Sequence, residues 1–201
     1  MLVGDCMTRE VATLPLEATV AEGLRLMNEH GIHRVPVVDS ARELLGIVSD
    51  MDLRIAEAAG RLADPISAVM TRCVVTVGEY VPLEEAASVM RKKAIGGLPV
   101  VRGNKIVGII TDGDIFDVFA HLLGVGEPGV RLTLNCPDDP RLILDLLHEI
   151  DDQGGQLVAC GTMRRNGGRV FVLKIAGLDE EQLYHAVAMV GVEVADVLTE
   201  A

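Results

Sequence analysis

Two stretches of this chain place a hydroxyl and a carboxylate three residues apart behind a glycine-led aliphatic run: Gly46-Ile47-Val48-Ser49-Asp50-Met51-Asp52 and Gly108-Ile109-Ile110-Thr111-Asp112-Gly113-Asp114. If each is a strand running into a helix, the helix start offers unpaired N–H groups and a partial positive dipole, a setting that suits a phosphate. Ser49 or Thr111 adds one donor there, and Asp52 or Asp114, one turn further in, can accept from both hydroxyls of a ribose. One such step reads as an ordinary helix cap, because S/T-x-x-D also lets side chain and backbone cap each other. Two steps in matched context point instead to ligands. A third feature is the basic pair His33-Arg34 ahead of the Val-Pro run, which taken alone reads as solvated hairpin edge. The spacing of His30 and His33 has no neighbouring Cys or carboxylate pattern to complete a metal cage, so no metal site is expected.

The elements that position these residues come from a duplication. Met7-Thr8-Arg9 recurs as Met70-Thr71-Arg72, an offset of 70 − 7 = 63, and the same offset carries Glu22 onto Glu85, Met27 onto Met90 and Pro36-Val37-Val38 onto Pro99-Val100-Val101. One residue is then lost in a turn, so the glycine-led runs align at an offset of 62. Each copy reads as strand, helix, strand, strand, helix. Val11–Leu14 is a short β-rich run, Thr19 and Glu22 have capping-box spacing, Val20, Leu24 and Met27 recur at helical period, and Gly31 is the stop. Leu83, Ala87 and Met90 repeat that stripe. Two apolar runs then pair as a hairpin in each copy, and closing helices span 50–59 and 112–123. A unit of this size buries too little surface alone, so the copies should pack about a pseudo-twofold axis and leave clefts between them.

Beyond Gly124-Val125-Gly126-Glu127-Pro128-Gly129, alternation over residues 130–135 reads as a strand. Pro140 opens a helix with Leu142, Ile143, Leu146, Leu147 and Ile150 on one face, and Gly154-Gly155 closes it. Residues 156–165 and 169–176 flank Asn166-Gly167-Gly168 as a hairpin. A helix over 179–189, with Leu183, Val187 and Val190 inward, and a strand over 192–198 complete a β-α-β-β-α-β order. The expected fold is α+β: repeat 1 over 1–61, repeat 2 over 62–123, a linker over 124–129 and a third domain over 130–201.

Net charge −12, an aromatic share of 2% and the absence of Trp remove the clustered cations and stacking platforms that nucleic acid needs, so none is expected as a partner. The acidic balance also speaks against anionic membrane, and no apolar run approaches the roughly 20 residues of a bilayer span. Met1-Leu2-Val3-Gly4-Asp5 lacks the charged-then-apolar design of a signal peptide, and Cys6, Cys73, Cys136 and Cys160 form no C-x-x-C pair. Reduced thiols in the cytoplasm are the expectation.

The duplicated motifs resemble the CBS domain family over about residues 1–123. The residues that carry the likeness are Met7-Thr8-Arg9 with Val11 and Thr13, Gly31 to Val38, Gly46 to Asp52, and their repeats. The resemblance implies paired units that bind AMP, ADP, ATP or S-adenosylmethionine, with Asp52 and Asp114 on the ribose and Ser49, Thr111, His33 and Arg34 near phosphate. It also implies an adenine held by backbone and aliphatic groups, at Val11, Thr13, Val35 and Pro36 in one unit and at Val74, Thr76, Leu98 and Pro99 in the other. The counterpart of His33-Arg34 is Gly96-Gly97, so the two clefts are expected to differ in affinity or in the phosphates they tolerate.

Residues 130–198 are similar in element order to the ferredoxin-like ACT domain, a family that binds amino acids between sheets and often dimerises. Where that family places a Gly after its first strand, this chain has Arg141, a departure that speaks against amino-acid binding and leaves dimerisation or a new ligand equally open; Arg164-Arg165 reads as hairpin surface. The arrangement as a whole is similar to accessory proteins labelled for acetoin utilisation. The leading expectation is a homodimeric sensor that binds an adenine nucleotide and signals to a protein target. A ligand-free dimerisation or interaction scaffold is the second reading. A weak nucleotide hydrolase is the third, held back because no nucleophile pair, phosphate loop or metal cage is present, which leaves no catalytic residue and no catalytic cofactor.

Overall fold

The computed structural model describes residues 1–165 and 167–200; of the hairpin tripeptide, Asn166 lies outside them. Two compact units, Met1–Phe116 and Asp117–Ala201, divide inside the helix that closes the second repeat. The expected linker at 124–129 therefore falls within the second unit.

In the first unit the elements are α1 (Val3–Cys6), α2 (Val20–His30), β1 (Arg34–Val38), β2 (Leu44–Ser49), α3 (Asp50–Ala58), a 3₁₀ turn at Ile66–Ala68, α4 (Leu83–Lys93), β3 (Gly97–Arg102), β4 (Lys105–Thr111) and the start of α5 (Asp112–Leu122). β1 pairs antiparallel with β2, and β3 with β4. Helix α2 forms where the apolar period and its caps agree. Thr19 accepts from Glu22 N while Glu22 accepts from Thr19 N, and Gly31 stops the helix at φ 63°. Val20, Leu24 and Met27 turn inward onto Val35, Val37, Val48 and Leu53.

Three expectations are revised. The β-rich runs before each first helix do not extend as strands; each reduces to one parallel bridge, Leu14 to Val37 and Val77 to Val100. The inward alanine of α4 is Ala86, fully buried, rather than Ala87. Most consequentially, the opening segments are exchanged between repeats. Thr71 and Ile47 bond each other through both backbone groups (2.8 and 2.9 Å), as do Thr8 and Ile109 (2.9 and 2.9 Å). Upstream, Val3 N donates to Val81 O and Gly4 N to Glu79 O, while Ile66 N donates to Ala18 O. Residues 1–8 thus bond to repeat 2, and Ile66 and Met70 complete the core of repeat 1.

Glycine permits this exchange at two matched places. A Cβ on Gly46 would stand 2.5 Å from Met70 Sδ and 3.0 Å from Thr71 O, and a Cβ on Gly108 would collide with Met7 Sδ and stand 3.1 Å from Thr8 O. The methionine of each Met-Thr-Arg motif seats itself over the glycine of the other repeat's hairpin.

The second unit holds the end of α5, then β5 (Gly129–Pro137), α6 (Pro140–Asp152), β6 (Gln156–Arg165), β7 (Gly168–Ala176), α7 (Glu180–Val190) and β8 (Glu193–Glu200). Its four antiparallel strands lie in the order β6-β7-β5-β8. Leu132, Leu134, Leu173 and Ile175 face Leu146, Ile150, Leu183 and Val187 in one core. Lys174, between two core residues of β7, is 1% exposed and its Nζ donates to Gly124 O at 2.9 Å, against the segment that follows α5. No helix among the described residues is long and apolar enough to cross a membrane.

Candidate functional site

The two helix entrances are built as the spacing predicts. Ser49 is extended (φ −102°, ψ 161°), its Oγ accepts from Asp52 N at 3.2 Å, and Asp52 Oδ2 accepts from Ser49 N at 2.9 Å and from Ser49 Oγ at 2.6 Å. Thr111 and Asp114 repeat this: Asp114 Oδ2 accepts from Thr111 N and Oγ1, both at 2.7 Å, and Thr111 Oγ1 accepts from Asp114 N at 3.3 Å. Both residues of each pair are half-buried. The capping reading is therefore satisfied at both entrances. In each, the capping bonds to the carboxylate fall on Oδ2, and no bond to Oδ1 is seen among the described residues.

At the first entrance the residues around the cap enclose a cavity of about 310 Å³. Repeat 1 contributes Ile47, Ser49, Asp52 and Arg34; across from them stand Thr71 and the run Cys73, Val74 and Val75, with Ala94, Ile95, Gly97 and Pro99 from the helix and hairpin of repeat 2. The cavity exists because Thr71 is bonded to β2 while Val77, six residues on, is bonded to β3 through Pro99 O and Val101 N, so that the strand-like segment between them forms its wall. Its chemistry is mixed. Its lining combines a carboxylate, two hydroxyls and a guanidinium with aliphatic side chains, which suits a ligand with a polar sugar and an apolar ring.

Arg34 belongs to repeat 1 but lies over repeat 2: a Cβ on Gly96 would stand 2.7 Å from one of its terminal nitrogens, and one on Gly97 3.6 Å from its Cδ. The absence of side chains at Gly96-Gly97 is what makes room for the arginine. The same Gly96 position would stand 2.7 Å from Asp112 Oδ2, so the guanidinium has a carboxylate in its vicinity.

Of the residues singled out from sequence, the structure brings Ser49, Asp52, Arg34, Val74 and Pro99 into one cavity. This crosses the expected grouping, which set Val74 and Pro99 with the other unit. His33 is exposed and outside the lining; its carbonyl accepts from Asp50 N at 2.9 Å. Val35 and Leu98 are fully buried, so their side chains serve the core. Pro36 is buried with its carbonyl accepting from Leu14 N, and Thr76 is exposed. Thr13 lines a separate cavity beside Glu22 and Arg25. Val11 is half-buried, in the segment that Thr8 ties to β4 two residues before Thr111. The lining residues that sequence reasoning missed are Ile47, Thr71, Cys73, Val75, Ala94, Ile95 and Gly97, and one of them carried a signal: Thr71 is the middle residue of the duplicated Met-Thr-Arg motif. Among the described residues no group of three His, Cys, Asp or Glu could hold a metal ion.

A family model described as CBS domain matches residues 3–59 and 66–121. Among solved structures, the chain is similar to a protein assigned to acetoin utilization in Vibrio cholerae (39% identical, TM-score 0.59, covering 63% of this chain and 96% of that one). It is also similar to the CBS domain pair of protein MJ0100 in complex with 5′-methylthioadenosine and S-adenosyl-L-methionine (32% identical, TM-score 0.56, 60% and 96%). A third, CBSX2 in complex with AMP, is 28% identical with a TM-score of 0.55 over 59% of this chain and 95% of that one. Among curated relatives the chain spans 94% of a CBS domain-containing protein of Dictyostelium discoideum at 32% identity. It spans only 27% of an inosine-5′-monophosphate dehydrogenase of Korarchaeum cryptofilum at 34% identity.

Proposed function

This chain belongs to the CBS domain family, and from that premise we propose that it is a cytoplasmic regulatory sensor that binds an adenine nucleotide or adenosyl ligand in the clefts of its paired repeats. The observation that carries this reading is the cavity of about 310 Å³ that joins Ser49, Asp52 and Arg34 of one repeat to Val74 and Pro99 of the other. Asp52 takes the ribose hydroxyls, Ser49 and Arg34 the phosphate, and Val74 and Pro99 flank the adenine. Asp114 and Thr111 do the same at the second entrance, with Val11 and Pro36, while Thr13, His33, Val35, Thr76 and Leu98 contribute through backbone or second contacts. The relatives solved with AMP, S-adenosyl-L-methionine and 5′-methylthioadenosine support an adenosyl ligand, AMP, ADP and ATP included.

The signal is carried by a shape change in the pair, since a ligand shifts an equilibrium only by its difference in affinity for the two states. The protein works as a homodimer on a protein target and not as a catalyst. Its C-terminal unit is a ferredoxin-like domain of the ACT type; the β-α-β-β-α-β order and the strand order β6-β7-β5-β8 support that assignment. The satisfied capping boxes favour one competing reading, a scaffold whose Asp52 and Asp114 only cap helices. Calorimetric titration of the apo protein with AMP, ADP, ATP and S-adenosylmethionine separates the two. The sensor binds at least one with a Kd below about 1 mM and loses it in Asp52→Ala; the scaffold binds none.

A further inference from the structure

The closing helices of the two repeats end in the same motif but in different surroundings. Helix α3 stops in a Schellman motif: Gly60 N donates to Glu57 O at 2.8 Å and Arg61 N to Ala56 O at 2.9 Å, with Gly60 at φ 73°. Helix α5 stops likewise: Gly124 N donates to His121 O at 2.9 Å and Val125 N to Ala120 O at 3.0 Å, with Gly124 at φ 71°. A Cβ on Gly60 would meet nothing within 4 Å. One on Gly124 would stand 3.1 Å from Lys174 Cδ, 3.2 Å from Val158 Cγ1 and 3.3 Å from Ala159 Cβ. The buried ammonium of Lys174 donates to the Gly124 carbonyl, beyond the helix end that favours a cation. The helices differ along their length too. Leu53 and Ala56 of α3 are buried in the core of repeat 1, and no residue of α5 is buried. The firm attachments of α5 are thus at its ends, the Thr111–Asp114 cap and the Lys174 clamp.

We propose that α5 is the output element of the paired repeats: a ligand that engages Asp114 shifts the start of this helix, and the Lys174 clamp passes the shift to β7. The proposal rests on the sensor reading above and assigns the signal to one of the two clefts. A ribose that donates to Asp114 loads the carboxylate that caps the first turn of α5. The 11-residue helix carries that movement along its axis because each turn is bonded to the next. At the far end Gly124 has no spare room, and drawing its carbonyl away deprives a buried charge of an acceptor. The strand therefore follows the helix. Asp52 lacks such a route, because α3 is held within repeat 1 and its final glycine has nothing packed against it.

Hydrogen exchange read by mass spectrometry tests this on the full chain, with and without the tightest-binding of AMP, ADP, ATP and S-adenosylmethionine at saturation. Exchange in peptides covering residues 120–125 and β7 should slow about threefold or more. That response should vanish in Asp114→Asn, which keeps a side-chain oxygen for the cap, and in Lys174→Met, which keeps an apolar stem without the ammonium. Peptides carrying Ser49 to Asp52 should still respond in both variants, which shows that each is folded and occupied. Bound ligand with β7 exchange unmoved in the parent, or a β7 response that survives either variant, overturns the proposal and leaves the sensor reading standing. If circular dichroism shows that Lys174→Met does not fold, the parent and Asp114→Asn decide between the same outcomes. Absence of binding by all four ligands removes the sensor reading and the proposal with it.

Discussion

The two repeats share the contacts that join their hairpins and the caps that open their closing helices, and differ in side chains that would meet a ligand and at the ends of their first helices. Gly46 and Gly108 each seat the other repeat's methionine, and Ser49–Asp52 and Thr111–Asp114 close the same capping box. At the 63-residue offset, however, Arg34 faces Gly97, Cys73 faces Glu10, Thr19 faces Pro82 and Gly31 faces Ala94. Repeat 1 therefore supplies the only cation of the pair at its hairpin entry, and that cation lies across the boundary, over the bare Gly96-Gly97 backbone of repeat 2. Duplication has kept the scaffold symmetric and made the chemistry unequal. The Asp52 cleft gains a positive charge, and the corresponding position in the Asp114 cleft carries Glu10 where the first has Cys73.

The largest effects should fall on what the repeats share. Gly46→Val and Gly108→Val each force a branched side chain onto a methionine sulfur and a backbone carbonyl, at a cost of about 3 kcal/mol in chemical denaturation; a loss well under 1 kcal/mol in either would show that the exchanged segments are loosely seated. Asp52→Ala should weaken AMP binding about 100-fold by calorimetry, the scale of a lost charge-assisted hydrogen-bond pair, and Asp114→Ala should cost the AMP site much less. Equal losses would erase the proposed inequality of the clefts. Arg34→Ala should cost about tenfold in AMP affinity and flatten its salt dependence, because the lost contact is ionic.

Smaller differences separate the two first helices. Thr19→Ala should lower stability by about 1 kcal/mol, whereas Pro82→Ala, at a start with no side-chain cap, should change little. The Thr19 cap is also pH-dependent. Hydrogen bonds from Thr19 N and then Thr19 Oγ1 hold the Glu22 carboxyl below its ordinary range. A depressed carboxyl stabilises the fold above its unfolded pKa and loses that contribution as pH falls through the lowered folded value. The difference in melting temperature between Thr19→Ala and the parent should therefore narrow in acid, keeping the share that comes from Glu22 N donating to Thr19 Oγ1. The smallest effect is a gain: Ala94 ends α4 at φ 53°, where Gly31 ends α2 at φ 63°, so Ala94→Gly should raise stability by about 0.5–1 kcal/mol.

Much of this architecture was legible in sequence because it depends on local agreement. The Thr19–Glu22 cap, the Gly31 stop, the closing helices after Ser49 and Thr111, and the β-α-β-β-α-β order of the second unit all follow from spacing that the backbone obeys nearby. What escaped depends on partners distant in the chain. The exchange of Met7-Thr8 and Met70-Thr71 between hairpins leaves no local period, and it moved Val74 and Pro99 to the Asp52 side of the pair. Val35 and Leu98 sit in the strands expected beside the adenine, and because their side chains are in the core it is their backbone groups that can meet a ligand. Lys174 interrupts the apolar run Phe171-Val172-Leu173-Lys174-Ile175, and its buried ammonium donates to the carbonyl of Gly124, fifty residues earlier.

Cys73 offers the most direct test of the central claim, since it is an exposed thiol on the wall of the Asp52 cleft, while Cys160 is an exposed thiol in the other unit. Alkylation by N-ethylmaleimide, followed by mass spectrometry of each cysteine with and without saturating AMP, reports occupancy of that cleft. AMP should slow modification of Cys73 about tenfold or more, as expected for a side chain covered by bound ligand, and leave Cys160 unaffected. Modification of Cys73 at the same rate in the presence of AMP would contradict the account.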